Sequence, residues 1–158
     1  MSTAVFTGSF DPFTIGHKSI VDRALPMFDR IIIAIGTNTS KAPWLPLEER
    51  VEAIRRIYAG EPRVEVATFP GLAVEFARSC GARVLLRGVR SVADFEYERN
   101  MADANRLVQL AAGTNISTAQ SVEIETVFLP ALPELAVVSS SLVRELARFN
   151  APYRHLLP

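Results

Sequence analysis

Ile31-Ile32-Ile33-Ala34-Ile35 is an unbroken apolar run in which every residue but one is β-branched. A strand with one wet face alternates apolar and polar residues, so such a run must be covered on both sides. A parallel sheet between two helix layers meets that demand. The chain supplies four more strand-like runs, at Ala4–Phe6, Val64–Thr68, Val84–Arg87 and Thr126–Leu129, with helical patterns between them. Ile20, Val21, Ala24, Leu25 and Phe28 mark one face of a first helix, which Pro26 should close. Leu47, Val51, Ile54 and Tyr58 mark a second, opened by Pro46 and carrying Glu48 and Glu49 where the dipole favours anions. Leu72, Phe76, Ala77 and Cys80 fit a short third helix after the Pro70-Gly71 turn, with Gly81 placed as its left-handed cap. A fourth runs from about Asp94 to beyond Arg106, and a last one from Ser139-Ser140-Ser141 to near Phe149. Strands alternating with helices predict an α/β fold, a doubly wound five-stranded parallel sheet, with residues 1–158 as a single domain.

In such sheets ligands bind beyond the carboxyl ends of the strands, where the strand order reverses. For the common order 3-2-1-4-5 that point lies between the first and fourth strands. The loops that follow those strands are Thr7–His17 and Gly88–Ser91, chemically the two most unusual in the chain. The first passes from a strand through a glycine-bearing turn to a helix start carrying His17, the parts of an anion site. Arg87 and Arg90 flank Gly88 in the second, Lys41 lies in the loop after the second strand, and Ser139–Ser141 open another helix. Arg106 lies further along the fourth helix.

Composition limits what this pocket serves. Lys and Arg number 17 and Asp and Glu 17, which gives no overall electrostatic case for nucleic acid or membrane partners. Cations gathered on carboxyl-end loops of a neutral chain imply a small anionic ligand. The lone Cys80 cannot form an internal disulfide and reads as a buried, inert thiol. Phe76, Phe95 and Phe128 are expected in the core, and Trp44 in loop packing. No run approaches membrane-spanning length and no basic-then-apolar leader opens the chain, so a cytoplasmic protein is expected. The first loop lacks Gly-x-Gly-x-x-Gly, and Gly16-His17-Lys18-Ser19 lacks the upstream glycine of a Walker loop. With only His17 and His155 in the chain, no metal-ligand cluster is expected.

Thr14-Ile15-Gly16-His17 resembles the T-x-G-H motif of the nucleotidylyltransferase superfamily, and Val138-Ser139-Ser140-Ser141 resembles its second motif. Within that superfamily the chain is similar to the bacterial phosphopantetheine adenylyltransferases. The similarity runs through Gly8-Ser9-Phe10-Asp11-Pro12, Leu47-Glu48-Glu49-Arg50, Arg87-Gly88-Val89-Arg90, Asp94-Phe95-Glu96-Tyr97-Glu98, Asn105-Arg106 and Ser139–Val143. The resemblance implies the Rossmann-like nucleotidylyltransferase fold and a place in coenzyme A synthesis. The phosphate of 4′-phosphopantetheine would attack the α-phosphorus of ATP, giving dephospho-coenzyme A and pyrophosphate, with Mg²⁺ carried mainly on the ATP phosphates. Such a nucleophile is already anionic, so positioning and charge stabilisation dominate over general base catalysis.

Carried over by position, the resemblance makes His17, Lys41 and Arg90 catalytic. It places Ser9, Phe10, His17, Gly88, Val89, Arg90, Glu98 and the stretch Leu135, Ala136, Val137, Val138, Ser139, Ser140 and Ser141 around ATP. Ser9, Lys41, Ala73 and Arg87 would hold phosphopantetheine. A homohexamer and feedback inhibition by coenzyme A are implied with it. The chain departs from the family's pattern in three places. Ser9 stands for a common threonine, Thr7 for a usual proline, and residues 107–125 read as an insertion at the end of the sheet away from the site.

Overall fold

The computed structural model describes residues 2–37, 42–111 and 124–158. Strands β1 (Thr3–Gly8), β2 (Arg30–Gly36), β3 (Val64–Phe69), β4 (Val84–Val89) and β5 (Glu125–Pro130) form one sheet in the order β3-β2-β1-β4-β5. Every pairing is parallel. Helices α1 (Ile15–Ala24), α2 (Leu47–Ile57), α3 (Ala73–Ser79), α4 (Val92–Ala111) and α5 (Ser140–Arg148) complete the doubly wound arrangement.

The isoleucine run behaves as its pattern demands. Ile31, Ile33 and Ile35 enter one core with Ile20, Val21 and Ala24 of α1 and with Ile54 and Tyr58 on and just beyond α2. Ile32 and Ala34 enter the other, with Val74 and Ala77 of α3. Successive residues thus feed opposite layers, and both layers exclude water. Gly81 takes a φ of 67° and Gly71 one of 83°, the left-handed values their turns require. At the far end of the sheet, Gln109 of α4 donates to the Ile124 carbonyl at 3.2 Å and accepts from the Ile124 N–H at 3.0 Å. That amide clasp ties the end of α4 to the start of β5.

Two expectations about side chains need correction. Phe95 is 41% exposed although its ring lies edge-on to half-buried Phe128 of β5 at 5.2 Å, because β5 is the edge strand of the sheet. Cys80 caps α3 and is half-buried rather than enclosed. Arg106 faces Glu125 at 3.8 Å, at the amino end of β5, and so stands away from the carboxyl-end loops. Of the stretch 107–125, the first five residues continue α4 and Glu125 opens β5. Residues 112–123 lie outside the described residues, as does Lys41.

The sheet itself prepares the site. Pairing between β1 and β4 stops at Phe6↔Leu86, while β1–β2 pairing continues to Gly8↔Ile35 and β4–β5 pairing to Val89↔Pro130. The two central strands therefore separate before their carboxyl ends. A crevice opens at the expected switch point.

Candidate active site

Two cavities occupy that crevice. The first, about 310 Å³, is walled by the loops after β1 and β4 and by the N-terminal ends of α1 and α5. The second, about 300 Å³, lies towards α3 and α4 and is lined by Leu72, Ala73, Tyr97, Met101 and Asn105 among others. Thr7, Arg87 and Glu98 line both. They form the partition.

His17 lines the first cavity from the first turn of α1. Thr14 caps α1 in a reciprocal arrangement: its hydroxyl accepts from the His17 N–H at 3.4 Å, and its own N–H donates to Nδ1 at 3.0 Å. A backbone N–H can only donate, so Nδ1 is the acceptor and the ring proton resides on Nε2. Phe10 and Phe13 back the ring, with centroids 5.1 and 5.4 Å away. Burial, then Arg90 and Arg87, lower the imidazole pKa to about 4. The residue is a neutral N–H donor at neutral pH, held in one orientation against the first cavity.

Phe10 lines the first cavity, and its ring is also part of the core beneath it. Its side chain is 2% exposed and its φ of 45° is rare for a residue with a Cβ. Gly8 makes this geometry possible, since a Cβ there would stand 2.9 Å from the Phe10 ring carbons. Gly8→Ala is expected to push the Phe10 ring into His17 and to lower stability by roughly 1–3 kcal/mol, the usual range for overpacking. Chemical denaturation of both proteins measures this, and an unchanged midpoint would remove the packing argument.

Arg87 is far from a free cation. Its Nε and Nη2 donate to the two oxygens of Glu98 at 2.7 and 2.6 Å, and its Nη1 donates to the carbonyl and hydroxyl of Thr7 at 2.5 and 2.8 Å. Glu98 is buried in this pair rather than held out to a nucleotide alone. Arg90 stands at the rim of the first cavity, 42% exposed, with its N–H and Nε directed to Asp94. Ser9, Gly88, Val89, Leu135, Val138 and Ser139–Ser141 also line that cavity, and Ala73 lines the second. Ala136 and Val137 do not line the first cavity. The 3₁₀ turn Pro133–Leu135 presents Leu135 inward and leaves Val137 75% exposed.

Within the serine cluster each hydroxyl has a separate task. Ser139 caps α5 through the Leu142 N–H, Ser140 donates to the Pro12 carbonyl at 2.8 Å, and Ser141 accepts from Arg144 at 3.1 Å. Arg144 was missed from sequence, although it lines the first cavity. Its position one turn after Ser141 on the same helix was the available signal. Asp11 was missed too. Its carboxylate accepts from the Trp44 and Leu45 N–H groups at 2.7 and 2.8 Å, and its carbonyl accepts from Arg144 at 2.6 Å. Buried Arg50 adds bonds to the Leu45 and Ser9 carbonyls. Together these residues staple the segment after Lys41 to the first turn.

The family model described as cytidylyltransferase-like matches residues 5–146. A phosphopantetheine adenylyltransferase of Phocaeicola vulgatus is 45% identical over 158 residues, all of this chain and 96% of the relative. The chain belongs to the phosphopantetheine adenylyltransferase family. Other members include an enzyme of Porphyromonas gingivalis, 44% identical over 98% of this chain and 93% of its own length, and one of a Nostoc species, 43% identical over 98% and 75%.

Proposed function

We propose that the protein transfers the adenylyl group of ATP to 4′-phosphopantetheine, forming dephospho-coenzyme A and releasing pyrophosphate. The observation that carries this reading is the partition of Thr7, Arg87 and Glu98 between two cavities of similar size, with His17 in the first. ATP is assigned to the first cavity, where two helix N-termini, Arg90 and Arg144 suit a polyphosphate. The second cavity, lined by Leu72, Ala73, Met101 and Asn105, suits an arm with apolar and amide character. The acceptor's phosphate oxygen forms the new bond to the α-phosphorus as the bond to the β-phosphate oxygen breaks. The neutral His17 Nε2–H donates to the charge that builds on the α-phosphate, and Lys41 and Arg90 are assigned to the same charge.

Magnesium is proposed as the companion ion. Among the described residues no three metal-ligating side chains stand together, and the two carboxylates on the first cavity's wall, Asp94 and Glu98, are engaged by Arg90 and Arg87. The donor set therefore suits an ion held by phosphate oxygens and water, neutralising charge on the triphosphate. A homohexamer is proposed on the family likeness, and exposed Val92, Phe95, Met101 and Leu107 on α4 offer apolar surface for association. Coenzyme A, which carries both an adenylyl and a pantetheine part, is proposed as an inhibitor occupying both cavities. Among the described residues no helix is long and apolar enough to cross a membrane. A cytoplasmic location is proposed because the reaction draws on ATP.

Pyrophosphate release tests the assignment when ATP is supplied with 4′-phosphopantetheine, nicotinamide mononucleotide or glycerol 3-phosphate in turn. Turnover with the first is expected. Turnover only with another acceptor would overturn the substrate, and ATP binding without any turnover would favour a nucleotide-binding module.

A further inference from the structure

Thr7 stands at the boundary of the two cavities, 7% exposed and facing both. An arginine has five N–H donors, and four of those on Arg87 are already taken, two by Glu98 and two by Thr7. Only one Nη2–H is left for a ligand, and the adjacent carboxylate offsets the positive charge. Arg87 therefore cannot serve as a two-pronged phosphate fork in this arrangement. Its guanidinium is a fixed part of the wall.

The Thr7 hydroxyl is in the opposite position. It accepts from Arg87 at 2.8 Å, which leaves its own hydrogen to donate, and among the described residues no protein acceptor takes it. The two Glu98 oxygens accept from Arg87, and neither accepts from Thr7. A hydroxyl that accepts from a cation is polarised into a stronger donor. We propose that Thr7 is a phosphate-binding residue at the boundary, giving its O–H to the acceptor's phosphomonoester beside the last free N–H of Arg87. This rests on the assignment of a phosphorylated acceptor to the second cavity. It gives the threonine a chemical role that a proline, with no hydroxyl, could not fill.

The test compares calorimetric binding of 4′-phosphopantetheine and of pantetheine, which lacks the phosphate, to wild type, Thr7→Val and Thr7→Ser. Thr7→Val should weaken phosphopantetheine binding about tenfold, the scale of one hydrogen bond to a charged group, and leave pantetheine binding unchanged. Thr7→Ser should restore affinity. Equal weakening of both ligands, or of neither, would overturn the role of Thr7 while leaving the substrate assignment standing. Wild-type protein that fails to prefer the phosphorylated ligand would overturn both. Thr7→Ala, which also removes the hydroxyl, replaces Thr7→Val in the comparison if the latter melts early.

Discussion

His17→Ala is expected to lower turnover by about 10²–10³-fold, the usual loss when one preorganised donor to a developing anion is removed. ATP affinity should change little, because the contact strengthens as charge builds on the α-phosphate. Rapid-quench turnover beside equilibrium ATP binding separates the two effects. A variant with normal turnover and poor ATP binding would contradict the assignment. The same residue sets a pH signature. The folded imidazole titrates near 4, against the ordinary value of 6.5 in an unfolded chain. Above pH 6.5 both states are neutral and the group contributes no pH dependence. Between 6.5 and about 4 the unfolded chain takes up the proton and the folded one does not, so stability falls as the medium is acidified. The slope from this one group reaches about 1.4 kcal/mol per pH unit. Denaturant unfolding of wild type and His17→Ala from pH 7.5 to 4.5 should show the wild-type slope steeper by that amount. Parallel slopes would mean the imidazole titrates normally.

Asp11→Ala should have the larger effect on the folded state. The carboxylate accepts two backbone N–H groups, from Trp44 and Leu45, and is 8% exposed. Its removal leaves both donors without their partner, at a cost of roughly 2–4 kcal/mol for the pair. The segment it holds follows Lys41 directly, so the loss should also raise KM for phosphopantetheine more than KM for ATP. Asp11→Asn, which keeps one acceptor oxygen, should fall between wild type and alanine. Unfolding curves and paired KM measurements check both halves of the expectation. Unchanged stability in the alanine variant would show that the loop holds itself.

The frame of this fold was legible because each of its signals is local. An unbroken isoleucine run requires two cover layers, glycines 71 and 81 sit where left-handed turns need them, and strands alternating with helices permit few strand orders. His17 was legible for the same reason, since its cap partner is three residues away. The partition was not. Arg87 and Glu98 lie on different elements, and nothing in their spacing says that a buried carboxylate will occupy both edges of that guanidinium. Asp11 reaches across 33 residues to Trp44, a distance over which no periodicity carries information. Phe95 went wrong by composition. A phenylalanine is usually buried, but in α4 the apolar residues are interleaved with Asp94, Glu96, Glu98 and Arg99 and mark no single buried face.

The thin wall between the cavities has a kinetic meaning. Two separate reactants each surrender translational and rotational freedom on entering, whereas a single molecule that reaches past Thr7 into both chambers surrenders it once. Such a molecule gains the chelate advantage of two linked footholds, each held at high effective concentration by the other. Leaving then requires both ends to let go within the same interval. With the reactants assigned as proposed, the bond-making step creates that kind of molecule, so the slow event in each cycle should be its departure, and the grip that speeds the reaction becomes the brake on the next round.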